Sequence, residues 1–181
     1  MIEGLRDASL DVALTYDLAI PADLQFVELG VLPPFALFSQ THDLAQRSSV
    51  SVSDLVKYPL ILLDLPLSSD YFLSFFGEAG LKPWIAERTR DMAVVQSLVA
   101  NDFGYSIANV RPLTDLSPDG KKLHFVPLTG PVKPMRMGLL CAGGGTSSLT
   151  IRAFIDHCRG FLPNGLLAEL TVQPSPSRRR S

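Results

Sequence analysis

The segment Asp91–Pro112 constrains the fold of this chain more than any other part of its sequence. Apolar residues in Val94–Val99 recur at helical spacing, which predicts a helix over residues 91–101 with one face against a core. Gly104 predicts the turn that follows, because glycine enters positive φ without a steric penalty. A short buried strand should come next and end at Arg111-Pro112. Helix, turn and strand in this order are typical of α/β proteins.

Strand-like and helix-like stretches alternate along the rest of the chain, which indicates an α/β fold. Residues 1–57 are predicted to form a first lobe, and residues 58–122 a second lobe inserted into it. Residues 123–162 should return to the first lobe as strands and a helix. Residues 163–181 are predicted to be mostly a disordered tail, because the apolar periodicity fades and polar residues and prolines accumulate.

Composition and charge exclude several classes of protein. The 181 residues are 46% apolar, which is enough to bury a sizeable core. The formal net charge of -2 gives no basic field that would hold nucleic acid by itself. No apolar run reaches membrane-spanning length and no signal-peptide pattern opens the chain. We therefore expect a cytoplasmic protein with no membrane partner.

The sequence assembles no catalytic, metal or cofactor site. The three histidines have no ligand spacing with one another, and Cys141 and Cys158 form no metal pattern. The glycines at 143–145 lack the lysine of a phosphate-binding loop, so a flexible joint is the favoured interpretation. The motifs of a serine-hydrolase elbow, a zinc protease and a dinucleotide-binding loop are absent. We predict that the chain is not an enzyme and carries no cofactor.

Ser68 and Ser69 are the first candidate ligand-binding residues, since they lie between a predicted buried strand and the next predicted helix. Free N–H groups and a hydroxyl at a helix N-terminus bind anions such as carboxylates. For Ser69, a plain helix N-cap is the favoured alternative. Ser68 lies one step outside that cap and is the stronger ligand candidate.

Six further residues are candidates for ligand binding by their position at predicted strand ends, namely Tyr16, Asp17, Asn101, Gly104, Tyr105 and Ser106. Tyr16 could stack on a ligand and Asp17 could pair with a ligand amine, although a surface loop is an equal alternative. Asn101 is equally well explained as a helix C-cap. Tyr105 and Ser106 follow the Gly104 turn, near a strand edge of the kind where α/β proteins bind small molecules.

A series of motifs along the chain follows the order of a known family. They are LDVALTYD at Leu10–Asp17, PPFALFSQTHDLA at Pro33–Ala45, SVSDLVKYPLILLD at Ser51–Asp64, the helix after Ser68-Ser69, QSLVANDFGYSIANVRP at Gln96–Pro112 and LHFVPL at Leu123–Leu128. In this order they resemble the effector domain of the LysR-type transcriptional regulators. The resemblance covers about residues 2–161.

The resemblance implies a type-2 periplasmic-binding-protein-like fold, with two Rossmann-like lobes joined by hinge strands and an effector in the cleft. The family also has an N-terminal winged helix-turn-helix, which no residue of this sequence matches. The resemblance thus implies an N-terminally truncated chain with an incomplete first lobe, and contact with DNA only through the missing domain.

The implied function is that of an effector-binding domain. A small organic acid or amino-acid-like effector would change lobe closure and the packing of a dimer or tetramer. Two other functions remain open from the residues alone. One is a free-standing small-molecule binding protein of the same fold. The other, less favoured, is an α/β enzyme built on this scaffold, for which the sequence nominates no catalytic residue.

Overall fold

The computed structural model describes residues 1–143, 148–161 and 166–172, which form two compact units. The first unit contains Met1–Leu32 and Pro134–Glu169, and the second contains Pro33–Lys133 with the described residues after Glu169. The α/β class predicted from the sequence is confirmed. The helices and strands, in chain order, are α1 (Ile2–Arg6), β1 (Val12–Tyr16), β2 (Leu24–Leu32), β3 (Phe35–Ser39), β4 (Val50–Ser51), α2 (Val52–Leu55), β5 (Leu60–Leu63), α3 (Ser68–Glu78), β6 (Ile85–Thr89), α4 (Met92–Ala100), β7 (Ser106–Ala108), β8 (Leu123–Thr129), β9 (Met135–Ala142), α5 (Leu149–Phe161) and α6 (Leu166–Glu169).

A three-stranded antiparallel sheet organises the first unit, in the order β1-β9-β2. β9 is central and pairs with β1 on one side and with β2 on the other. Alternate residues of a strand face opposite sides of its sheet. Leu139 and Cys141 therefore pack with Ile155 of α5, whereas Leu140 packs with Leu5 of α1.

The second unit holds a four-stranded sheet in the order β4-β8-β3-β7 and a parallel pair, β5-β6. A backbone hydrogen bond from Ile61 N to Tyr105 O (2.8 Å) joins this pair to β7. α3 contributes Phe76 to the core on one face of the sheet, and α4 contributes Val95 and Val99 on the other. Both faces are covered, which explains why every residue of β3 is buried.

The helix, turn and strand predicted for residues 91–112 are present. α4 begins after Asp91, whose carboxylate accepts a hydrogen bond from Ala93 N–H (2.8 Å). Two residues of the turn have positive φ, Asp102 at 67° and Gly104 at 153°. A Cβ on Gly104 would lie 2.2 Å from the carbonyl oxygen of Pro59. Glycine is required there chiefly because the backbone before β5 approaches so closely.

The chain crosses between the units after Leu32, after Lys133 and after Glu169, whereas the sequence predicted boundaries after residues 57, 122 and 162. The difference arises from the order of the four-stranded sheet. β3 pairs with β7 and with β8, and β4 also pairs with β8, so β3, β4 and β8 all belong to the second unit. An apolar run predicts a buried strand, but it does not reveal which sheet that strand joins.

Part of the predicted disordered tail is described as structure. Residues 166–169 form α6, and the N–H of Arg111 donates to the carbonyl oxygen of Leu170 (2.8 Å). Residues 163–165 and 173–181 lie outside the described residues, so disorder there stays a prediction. Among the described helices, none is both long and apolar enough to cross a membrane.

Candidate ligand-binding site

Two parallel strands of the second unit end at the same edge. Leu60 of β5 lies opposite Tyr105 in a parallel bridge, so β5 and β7 point their carboxyl ends in one direction. Residues 64–69 follow β5 and residues 109–110 follow β7, and we call these two segments the carboxyl edge. Small molecules bind open α/β sheets at the carboxyl ends of their strands. The carboxyl edge is therefore the candidate site.

The first turn of α3 brings Ser68 and Ser69 to the carboxyl edge, where both are half-buried. The N-cap is Leu67, at φ 67°, so the favoured interpretation of Ser69 as the cap is wrong. Ser69 lies inside the helix, and its hydroxyl donates to the carbonyl oxygen of Leu65 (3.3 Å). Among the described residues, the Ser68 hydroxyl has no hydrogen-bond partner. Ser68 is thus the one of these two serines whose hydroxyl is unpaired in the described part of the chain, and its role as a ligand contact stays a prediction.

A chain of hydrogen bonds links the carboxyl edge to the point where the chain leaves the second unit. The side-chain amide of Asn109 donates to the Tyr71 hydroxyl (3.1 Å), which donates to the carbonyl oxygen of Lys133 (2.7 Å). Asn109 is only 4% exposed, so burial also fixes its position. The sequence pattern did not identify Tyr71, although residues three apart, such as Ser68 and Tyr71, lie on the same side of a helix.

Asn101 and Gly104 lie before the amino end of β7, away from the carboxyl edge. Asn101 ends α4, and its side-chain amide donates to the carbonyl oxygen of Ser97 (2.8 Å) and to the carboxylate of Asp119 (2.7 Å). These contacts match the helix C-cap alternative. The structure does not bring Asn101 or Gly104 together with Ser68.

Tyr105 and Ser106 are buried in the second unit. The Tyr105 side chain is fully buried, and its ring centroid lies 6.2 Å from that of Phe38. Burial raises the pKa of the Tyr105 phenol, and among the described residues its hydroxyl has no hydrogen-bond partner. Ser106 is buried on the α4 face, as strand alternation with Ala108 shows. Both residues belong to the core at the amino end of β7 and not to the carboxyl edge.

Tyr105→Phe is expected to stabilise the chain, because it removes a buried hydroxyl that has no partner among the described residues. We expect a gain of about 1 kcal/mol in the free energy of unfolding, measured by urea denaturation. Tyr58→Phe is the matched control, since its hydroxyl lies at the surface, 3.5 Å from Asp43, and should change stability by less than about 0.5 kcal/mol. A clear loss of stability in Tyr105→Phe would contradict the prediction.

Tyr16 and Asp17 lie in the first unit, at the end of β1. The Asp17 carboxylate accepts hydrogen bonds from Nε (2.6 Å) and from the backbone N–H (2.9 Å) of Arg136. Bonding to Asp17 raises the pKa of the Arg136 guanidinium. A ligand amine would have to displace Arg136 to reach Asp17, whereas Tyr16 is partly exposed.

A family model described as LysR substrate binding domain matches residues 1–163. The crystal structure of HinK, a LysR family transcriptional regulator from Pseudomonas aeruginosa, is similar, with a TM-score of 0.82 and 31% identity. The alignment covers 89% of this chain and 56% of HinK. This chain therefore spans little more than half the length of that regulator.

The effector binding domain of QuiR in complex with shikimate has the same fold, with a TM-score of 0.71 and 21% identity, over 88% of this chain and 75% of that chain. A comparison with curated protein sequences gave no match. These similarities confirm the predicted type-2 periplasmic-binding-protein-like fold and the family resemblance.

Proposed function

Because the chain belongs to the LysR substrate-binding domain family, we propose that it binds a small-molecule effector at the carboxyl edge and transmits binding to the crossing after Lys133. The observation that carries this proposal is the hydrogen-bond chain from Asn109 through Tyr71 to Lys133. It joins α3, the end of β7 and the last residue of the second unit before the crossing.

The chemistry of the carboxyl edge favours a small organic acid or an amino-acid-like compound. The N-terminus of α3 carries partial positive charge, and Ser68 adds a free hydroxyl beside it. Leu65 and Leu67 are exposed in the adjoining loop and offer contact to an apolar body. Asp70 is exposed in the same first turn, but residues two apart point about 200° from each other around a helix. The Asp70 carboxylate therefore lies away from Ser68.

The effector would act by a shift between two states of the chain. A ligand shifts such an equilibrium only by the difference between its affinities for the two states. Contact with Ser68 would move the first turns of α3, and with them the Tyr71 hydroxyl that holds the Lys133 carbonyl. That change would reach the crossing directly.

The proposal includes two partners, which are DNA and further copies of the same protein. HinK, which is similar to this chain over 56% of its length, is a transcriptional regulator. We accordingly place this chain in a cytoplasmic regulator that contacts DNA through a separate domain. Self-association as a dimer or tetramer would pass the state of each effector site to that domain.

Ser68→Ala is expected to weaken effector binding about 10-fold or more, because a hydrogen bond to a charged group is worth about 1.5–3 kcal/mol. A thermal-shift screen with benzoate, shikimate and glutamate would identify a ligand, and isothermal titration calorimetry would compare its Kd between variants. Ser74→Ala is the control, since Ser74 lies on α3 but its hydroxyl donates to the carbonyl oxygen of Tyr71 (2.7 Å). If Ser68→Ala and Ser74→Ala both bound the ligand as tightly as the wild type, Ser68 would be excluded from the site.

A further inference from the structure

We propose that a cavity beside Arg111 is a second binding site, which takes a small organic carboxylate. The cavity has a volume of about 260 Å³ within the second unit. Tyr71 packs with the core on the α3 face of the sheet, whereas Phe125 packs with the core on the α4 face. None of the residues that line the cavity belongs to the carboxyl edge. Its lining includes Arg111, Asp115, Lys122, Leu123, Phe125 and Val172.

The guanidinium of Arg111 is held in place by two contacts. Its Nη2 donates to the Asp115 carboxylate (2.6 Å), and its Cζ lies 5.4 Å from the centroid of the Phe125 ring. Phe125 in turn packs edge-on against Phe35, with centroids 5.7 Å apart. A guanidinium fixed by an ion pair and an aromatic face presents its remaining donors in a defined direction.

One donor of this fixed group is unsatisfied. The Nε of Arg111 is buried and has no acceptor among the described residues. A buried donor of a charged group is unfavourable until it meets an acceptor, and a carboxylate oxygen matches a guanidinium edge in both charge and geometry. Arg111 lines the cavity, so a carboxylate bound there would lie beside its guanidinium.

The charge of the lining favours an anion. Asp115 is already paired with Arg111, so it does not neutralise a second cation. Lys122 makes no hydrogen bond or ion pair with any other described residue. Leu123 and Val172 add apolar surface to the same cavity. A small carboxylate with an apolar body would complement both the charge and the walls, whereas an inorganic ion would leave the apolar walls unused.

The side-chain Nε–H signal of Arg111 in NMR spectra of the ¹⁵N-labelled chain tests the proposal directly. Titration with benzoate should shift this signal saturably, with a Kd in the millimolar range or below. Arg111→Lys assigns the signal by removing it. Lys122→Gln keeps the exposed surface polar and should weaken benzoate binding several-fold, because it removes one cation from the lining.

Two controls separate this site from other binding. The Nε–H signal of Arg47, which forms a comparable surface ion pair with Asp54 (3.4 Å), should not shift. In the Ser68→Ala variant, benzoate should shift the Arg111 signal as it does in the wild type. The test of this cavity therefore stands even if no ligand binds at the carboxyl edge. The proposal would be overturned by an unshifted Arg111 signal, by equal shifts at Arg47, by unchanged affinity in Lys122→Gln, or by tighter binding of inorganic phosphate than of benzoate.

Discussion

Replacing Gly104 by alanine is expected to lower the free energy of unfolding by about 3 kcal/mol. The new Cβ would lie 2.2 Å from the carbonyl oxygen of Pro59, at a φ of 153° that residues with side chains rarely adopt. That carbonyl cannot move freely, because it accepts the backbone hydrogen bond of Tyr105 (2.9 Å). Relief of the clash would therefore separate β5 from β7 and disturb the carboxyl edge.

Urea denaturation measures this loss, and the single tryptophan, Trp84, reports on the second unit. Gly77→Ala is the matched control, because no atom beyond its chain neighbours and its own helix backbone lies within 4 Å of a Cβ added at this position in α3. Alanine is a better helix former than glycine, so Gly77→Ala should stabilise by about 0.5–1 kcal/mol. If Gly104→Ala were as stable as the wild type, the close approach of Pro59 would not limit this position.

Tyr71→Phe is expected to remove the response to effector while leaving much of the binding surface in place. The lost hydroxyl accepts from Asn109 and donates to Lys133, so we also expect a loss of about 2 kcal/mol in the free energy of unfolding. Hydrogen exchange of the backbone amides near Lys133, with and without the ligand found in the carboxylate screen, measures the response. The wild type should show ligand-dependent protection there, and Tyr71→Phe should not.

Tyr58→Phe serves as the control for this experiment, because it removes a phenolic hydroxyl at the surface of the same unit. It should keep both the stability and the ligand-dependent protection of the wild type. Protection that persists in Tyr71→Phe would show that the effector reaches the crossing by another route, even if the ligand binds at the carboxyl edge.

Local structure could be predicted from the sequence where short-range physics determines it. The apolar spacing of α4 and the glycine after it identified the helix, the turn and the strand, although β7 ends at Ala108 and not at the predicted Arg111-Pro112. The contacts of Asp102 could not be foreseen, because its carboxylate accepts hydrogen bonds from Ser39 (2.5 Å) and Thr41 (2.9 Å). Those two partners lie far away in sequence, and no local pattern reports them.

The candidate site was predicted only in part, for the same physical reason. Ser68 and Ser69 were placed correctly at the start of a helix that follows a buried strand. Asn101 and Tyr105 are close to Ser106 in sequence, yet the direction of β7 separates Asn101 from the carboxyl edge and burial encloses Tyr105. Strand direction and register decide which residues meet, and both depend on pairing partners distant in sequence.

The order β1-β9-β2 determines when the first unit can form during synthesis. Its central strand, β9, is the last of the three to leave the ribosome. The hydrogen bond from Arg136 to Asp17 can therefore form only after a further 119 residues have been made. The second unit is nearly continuous in sequence, so Pro33–Lys133 can collapse before the first unit forms. This collapse shortens the loop between the two segments of the first unit, Met1–Leu32 and Pro134–Glu169. Until β9 emerges, β1 and β2 lack the strand that pairs with both of them, so their unpaired edges are open to wrong partners.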